Sequence, residues 1–154
     1  MMAIMGGSLF AQGQDLRFTI ATNPYKPFLG IVSIEIEIGL TDHFSAHTFY
    51  EKKYADIIDH PDNVVKFGSR YYFYHQNGYQ SKTFLGFNIA NATSGRSFGG
   101  DGISLGGELG YKYLSKHKLA IFPTLIGHYQ LDEKTFLPGF EVTFGKQYEY
   151  STSD

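Results

Sequence analysis

A chain of 154 residues has room for one domain and one core, and a net charge of −2 gives no global basic field for nucleic acid. The 12 Tyr and 14 Phe are many for this length, while Trp and Cys are absent. Absence of Cys fits an oxidising compartment without disulfides and a cytosolic setting alike. No stretch approaches the about 18 uninterrupted apolar residues of a membrane-spanning helix. If the chain enters a bilayer it must do so as a closed barrel, because lipid cannot satisfy open backbone groups.

Residues 1–11 are apolar and small and are followed by polar residues 12–15, which reads as a truncated secretory signal peptide cut after Ala11. No Lys or Arg precedes the apolar run. One domain is expected over 16–148, with a tail at 149–154.

Eight strands can be laid out in order. The first, 16–22, sets Leu16, Phe18 and Ile20 against Arg17 and Thr19. The second, 30–40, sets Val32, Ile34, Ile36 and Ile38 against Ser33, Glu35 and Glu37. The third, 44–52, sets Phe44, Ala46 and Tyr50 against Ser45, His47 and Glu51. A polar stretch follows, and the fourth strand, 64–74, opposes Val65, Phe67, Tyr71 and Phe73 to Lys66, Arg70 and Tyr72. Asn77-Gly78 is a hairpin signal. The fifth strand, 79–90, opposes Thr83, Leu85, Phe87 and Ile89 to Lys82, Gly86 and Asn88, before a Gly- and Ser-rich loop. The sixth, 104–113, alternates most regularly: Leu105, Leu109, Tyr111 and Tyr113 face away from Ser104, Glu108 and Lys112. The seventh, 118–129, contains Pro123, which cannot donate to a ladder and predicts a bulge or break. The eighth, 138–146, sets Phe140, Val142 and Phe144 against Glu141 and Thr143.

Period-2 alternation defines two faces without saying which looks inward. Two patterns choose between them. The connections after strands two, four and six read as short turns, and those after one, three, five and seven as longer polar loops, the arrangement of outer-membrane barrels. The polar face carries Arg17, Lys66, Arg70, Lys82 and Lys112 against Glu35, Glu37, Glu51, Glu108 and Glu141, five of each sign. An eight-stranded barrel has an interior that side chains fill, and charges placed there must pair. Aromatics lie at both ends of the apolar face, as membrane-interface girdles do. The expected fold is therefore all-β: an eight-stranded, antiparallel, up-and-down transmembrane β-barrel with a polar, side-chain-filled interior.

The segment Gly139-Phe140-Glu141-Val142-Thr143-Phe144 resembles the C-terminal signal read by barrel-insertion machinery. Together with Lys66-Phe67-Gly68-Ser69-Arg70-Tyr71-Tyr72-Phe73 and Gly107-Glu108-Leu109-Gly110-Tyr111-Lys112, it makes the span from Leu16 to Tyr148 resemble small eight-stranded outer-membrane barrels, similar to the transmembrane domain of outer-membrane protein A or to outer-membrane protein X. The resemblance implies a bacterial outer-membrane location, with outer-membrane lipid, the insertion machinery and a loop ligand as partners. It implies a non-enzymatic structural or surface-interaction role through the long loops.

Catalytic signals are weak. The His-x-Ser-Asn type of signature expected of a barrel deacylase is absent, and Ser45 and His47 sit two apart on one strand face. No His pair has metal spacing, and Asp56, Asp59 and Asp62 lack the Gly and Glu positions of a calcium loop, so no cofactor or metal is expected. Two alternatives stand beside the main reading. One is a soluble lipocalin-like barrel holding an apolar ligand with the Leu/Ile/Phe face inward. The other is a lipid-modifying barrel enzyme.

Overall fold

A computed structural model describes residues 16–58, 60–73, 82–93 and 102–150. Eight strands, β1 (Leu16–Thr22), β2 (Ile31–Gly39), β3 (Phe44–Lys53), β4 (Asn63–Tyr72), β5 (Lys82–Thr93), β6 (Gly102–Leu114), β7 (Leu119–Gln130) and β8 (Thr135–Tyr150), form one sheet. Each pairs antiparallel with the next and β8 pairs with β1, so the sheet closes and leaves no unpaired strand. Residues 1–15, the Asn77-Gly78 turn, the Gly/Ser-rich loop and the segment after Tyr150 lie outside the described residues.

The register shows how closure is achieved. A path from Lys146 runs through Ile20, Ile36, Thr48, Phe67, Ile89, Leu105 and Tyr129 to Phe136. It returns to β8 ten residues from its start, a shear of ten. For eight strands this stagger corresponds to a tilt of about 40° and an interior that side chains can fill.

Closure settles the inside. Glu35, Glu37, Lys66, Arg70, Glu108 and Lys112 are buried in the lumen, while Phe67, Leu85, Phe87, Leu109 and Leu125 stand exposed around the outside. This removes the lipocalin-like alternative, which requires the apolar face inward. The short-turn half of the lumen is plugged by an apolar cluster of Ala21, Tyr72, Phe84, Leu114, Ala120 and Phe122. On the outside at that end, Phe18 stacks on Tyr148 at 5.0 Å, and Tyr71 meets Phe44 at 4.9 Å and Phe73 at 5.1 Å. No described helix is long and apolar enough to cross a membrane.

Three expectations need correction or sharpening. The β7–β8 connection spans only residues 131–134, as short as 40–43 and 115–118, because β7 and β8 stay paired to Gln130 and Thr135. Loop length therefore does not sort strictly between the two ends. Pro123 produces a break but no bulge: pairing with β6 stops after Gly110–Thr124 and resumes at Tyr113–Ile121 in the same register. The β8 ladder runs through it uninterrupted. Lastly, β8 continues through Phe144 to Tyr150, so the Gly139–Phe144 motif lies mid-strand and the barrel takes in two residues assigned to the tail.

Candidate functional site

The lumen holds three tiers of charge. At the short-turn end, Arg17 pairs with Asp42 at 2.6 Å, and Lys82 Nζ donates to the Asp42 carbonyl at 2.6 Å. Just above, Lys112 Nζ donates to Glu37 Oε2 at 3.0 Å and to Thr19 Oγ1 at 3.1 Å. Ser45 Oγ donates to Glu37 Oε1 at 2.6 Å, and the Tyr72 hydroxyl donates to the same oxygen.

The central tier is built on Arg70. Its guanidinium pairs with Glu35 on one side, and on the other Nε and Nη2 reach Glu108 Oε2, each at 3.0 Å. It also lies over the Phe84 ring, 4.6 Å from the centroid, and near Phe122 at 5.5 Å. Asn88 Nδ2 donates to Glu108 Oε1 at 2.8 Å, and Thr143 Oγ1 donates to Glu35 Oε2 at 3.3 Å. His47 Nε2 sits 3.5 Å from Glu108 Oε1, outside hydrogen-bond geometry. This tier encloses about 10 Å³ of free volume, on the order of one water molecule.

The upper tier borders the long-loop mouth. Lys66 lies 3.9 Å from Glu141 and over Phe49, 4.7 Å from its centroid. Lys26, from a short 3₁₀ helix (Lys26–Leu29), bonds to both Glu51 and Glu141. Burial holds the Lys26 ammonium below the ordinary lysine range despite the Glu141 carboxylate. His60, between β3 and β4, places Nε2 3.1 Å from Glu51 Oε2. Burial, with Lys26 and Lys53 nearby, keeps its imidazole below the ordinary pKa.

Of the ten charged residues expected on the inner face, Arg70, Glu35 and Glu108 meet in one cluster, Lys112 joins Glu37, and Lys66 joins Glu141. Arg17 and Lys82 instead converge on Asp42, a turn residue, and Glu51 is paired from outside the strands by Lys26. Sequence alternation missed Lys26, Asp42 and His60 because connections carry no face. Tyr72, Asn88 and Thr143 were legible as polar-face positions but carry no charge to draw notice.

Above the upper tier lies a vestibule of about 520 Å³. Its apolar lining includes Leu29, Val64, Ala92, Ile126 and Leu137, with Lys26, Lys66, His60 and His128 among its polar groups. Ser104 Oγ lies 3.3 Å from His128 Nδ1. Among the described residues no carboxylate hydrogen bond orients that ring, and no three acidic or His side chains cluster as metal ligands.

No protein-family model matches the chain, and no curated protein matches it. Solved structures share its fold. The N-terminal β-barrel domain of Pseudomonas aeruginosa OprF is similar at a TM-score of 0.59 and 20% identity, over 90% of this chain and 100% of that one. A de novo designed transmembrane β-barrel is similar at 0.52 and 10% identity, over 90% of this chain and 98% of that one. The fold is that of the small eight-stranded transmembrane barrels.

Proposed function

Starting from that fold, we propose that the chain is a bacterial outer-membrane protein whose barrel is a non-enzymatic scaffold and whose outward connections carry its interactions. The observation that supports this reading most is the inverted distribution of polarity. A ring of exposed Phe, Leu, Ile and Tyr surrounds a lumen of paired charges. Soluble monomers rarely expose a contiguous apolar surface beyond a few hundred Å². In lipid the same ring is solvated, and the closed ladder satisfies the backbone wherever the strands pair.

The central tier encloses only about 10 Å³ of free volume, and an eight-stranded lumen filled by side chains does not favour solute conduction. Insertion through the barrel-insertion machinery, and an unidentified loop ligand, belong to the same proposal. Fractionation of expressing cells tests it. Recovery in the outer membrane with heat-modifiable gel mobility is expected, and a detergent-independent soluble monomer would overturn it.

A second reading, lipid modification, rests on the Ser104–His128 contact inside an apolar cavity. It predicts an altered lipid A mass on expression, and an unchanged mass spectrum counts against it. Among the described residues no carboxylate hydrogen-bonds and orients the His128 ring, which places this reading second.

A further inference from the structure

The barrel wall has a notch on one side. β1 ends at Thr22, and its last partners are Glu35 on β2, through Ala21, and Phe144 on β8. Residues 31–34 of β2 and 135–143 of β8 continue beyond it toward the long-loop end, with no ladder partner on the β1 side. Pro24 and Pro27 stand where β1 would have to continue, and neither can donate to a ladder. Pro138 lies on the open stretch of β8, and proline within sheets belongs on free edges.

Segment 23–30 spans this notch as a strap. It is tied to β2 by Thr22 Oγ1 donating to the Ser33 carbonyl at 2.6 Å and the Asn23 N–H donating to Ser33 Oγ at 3.0 Å. Beyond β3 it is tied where the Tyr54 and Ala55 N–H groups donate to the Gly30 carbonyl at 2.8 and 3.3 Å. Gly30 has φ 77°, and a Cβ there would lie 2.5 Å from the Ala55 carbonyl oxygen, so this attachment needs glycine. Toward β8 the recorded polar link among the described residues is the Lys26–Glu141 ion pair.

An open sheet edge at membrane depth is tolerated only against protein or a cavity. Here it borders the vestibule, whose lining includes Leu137, Pro138, Gly139 and Phe140 of that edge. A Cβ on Gly139 would meet nothing within 4 Å. The outer rim is apolar: Phe28 is 80%, Phe140 63% and Val32 54% exposed.

We propose that this notch is a lateral portal, latched by Lys26 and Glu141, through which an acyl chain of a lipid in the leaflet at the long-loop end enters the vestibule. The vestibule volume falls within the range of about 300–1,000 Å³ typical of small-ligand sites. The occupant comes from the bilayer because the open edge and the apolar rim face it. The inference rests on the membrane reading above.

The absence of Trp and Cys makes the test direct. Single-Trp reporters are placed in the vestibule (Val64→Trp and, independently, Ala92→Trp) and on the lipid face (Phe67→Trp). Each is reconstituted into phosphatidylcholine vesicles whose acyl chains are brominated. Each vestibule reporter is also combined with Lys26→Cys and Glu141→Cys, so that a short bis-maleimide crosslink, its formation confirmed by mass, replaces the latch.

Strong quenching of Phe67→Trp is the expected control, and its absence would overturn the membrane reading itself. With that control quenched, loss of most vestibule emission in the uncrosslinked double-Cys form, with recovery on crosslinking, is the expected result. Full vestibule emission in the uncrosslinked form would overturn the portal. Quenching that persists unchanged in the crosslinked form would overturn the lateral route.

Discussion

Arg70 is the residue whose removal should cost most. It is 4% exposed and holds two carboxylates, Glu35 and Glu108, themselves 5% and 2% exposed. Arg70→Met keeps much of the side chain's volume and its contact with Phe84 and Phe122, but leaves both carboxylates without a cation at hydrogen-bond distance. Removing one partner of a buried pair costs about 3–5 kcal/mol, and two stranded carboxylates place the loss near the upper end. The triple variant Arg70→Met, Glu35→Gln, Glu108→Gln removes every member of the cluster's charge and keeps oxygens to accept from Thr143 and Asn88. Removing the charges ends the penalty of unpaired buried carboxylates, while the two Gln amides facing Met lack acceptors, so the triple variant should recover part of the loss. The assay is reversible urea unfolding in lipid vesicles, read by gel mobility and by far-ultraviolet circular dichroism. An Arg70→Met loss below about 1 kcal/mol, the scale of a solvated surface pair, would refute the reasoning. So would a triple variant as unstable as the single one.

Leu109→Arg, on the outer face, should lower stability in the same vesicle assay by about 2–4 kcal/mol, the cost of a cation near the bilayer midplane; little change there would argue that this face does not meet lipid. Gly145→Ala should cost about 1–3 kcal/mol by overpacking, because its Cβ would lie 2.2 Å from the Ile20 carbonyl oxygen. Gly107→Ala, with nothing within 4 Å, should change stability by less than about 0.5 kcal/mol, and equal losses at the two sites would be inconsistent with the β1–β8 closure described. His60 has a folded pKa below its ordinary value of 6.5, so the undocked state takes up the proton first as pH falls. Its contribution is therefore complete above that value and is lost as pH drops below it. The hydrogen-exchange protection factor of the Lys53 N–H, which donates to the Asp62 carbonyl at 2.9 Å, should fall over that window, and His60→Gln should abolish the step.

Much of the barrel is legible in the residues themselves, because a strand's two faces are a local, period-2 property. Glu35 and Glu37 alternate with Ile34, Ile36 and Ile38, and Glu108 and Lys112 with Leu105, Leu109 and Tyr111, whatever surrounds them. The positions of all eight strands follow, to within a few residues at most ends, from that alternation and the turn residues between. Strand ends are less legible. β8 runs to Tyr150 because its neighbour β1 begins at Leu16 and pairs with it there, a partnership between opposite ends of the chain.

Which charges meet is likewise a matter of tertiary structure. Arg70 joins Glu35 and Glu108 across the lumen through a stagger of ten residues that no single hairpin contains. Lys26 and His60 lie in connections, where no periodicity assigns a face, and reach Glu51 only because the strap and the β3–β4 connection fold over the same mouth. Alternation alone thus determined that there are two faces and which residues share each. Closure of the ring decided which face is inside, because only non-local pairing, with its register and shear, turns a two-faced ribbon into a wall with a lumen. It also decided where that wall is incomplete, beside the early end of β1.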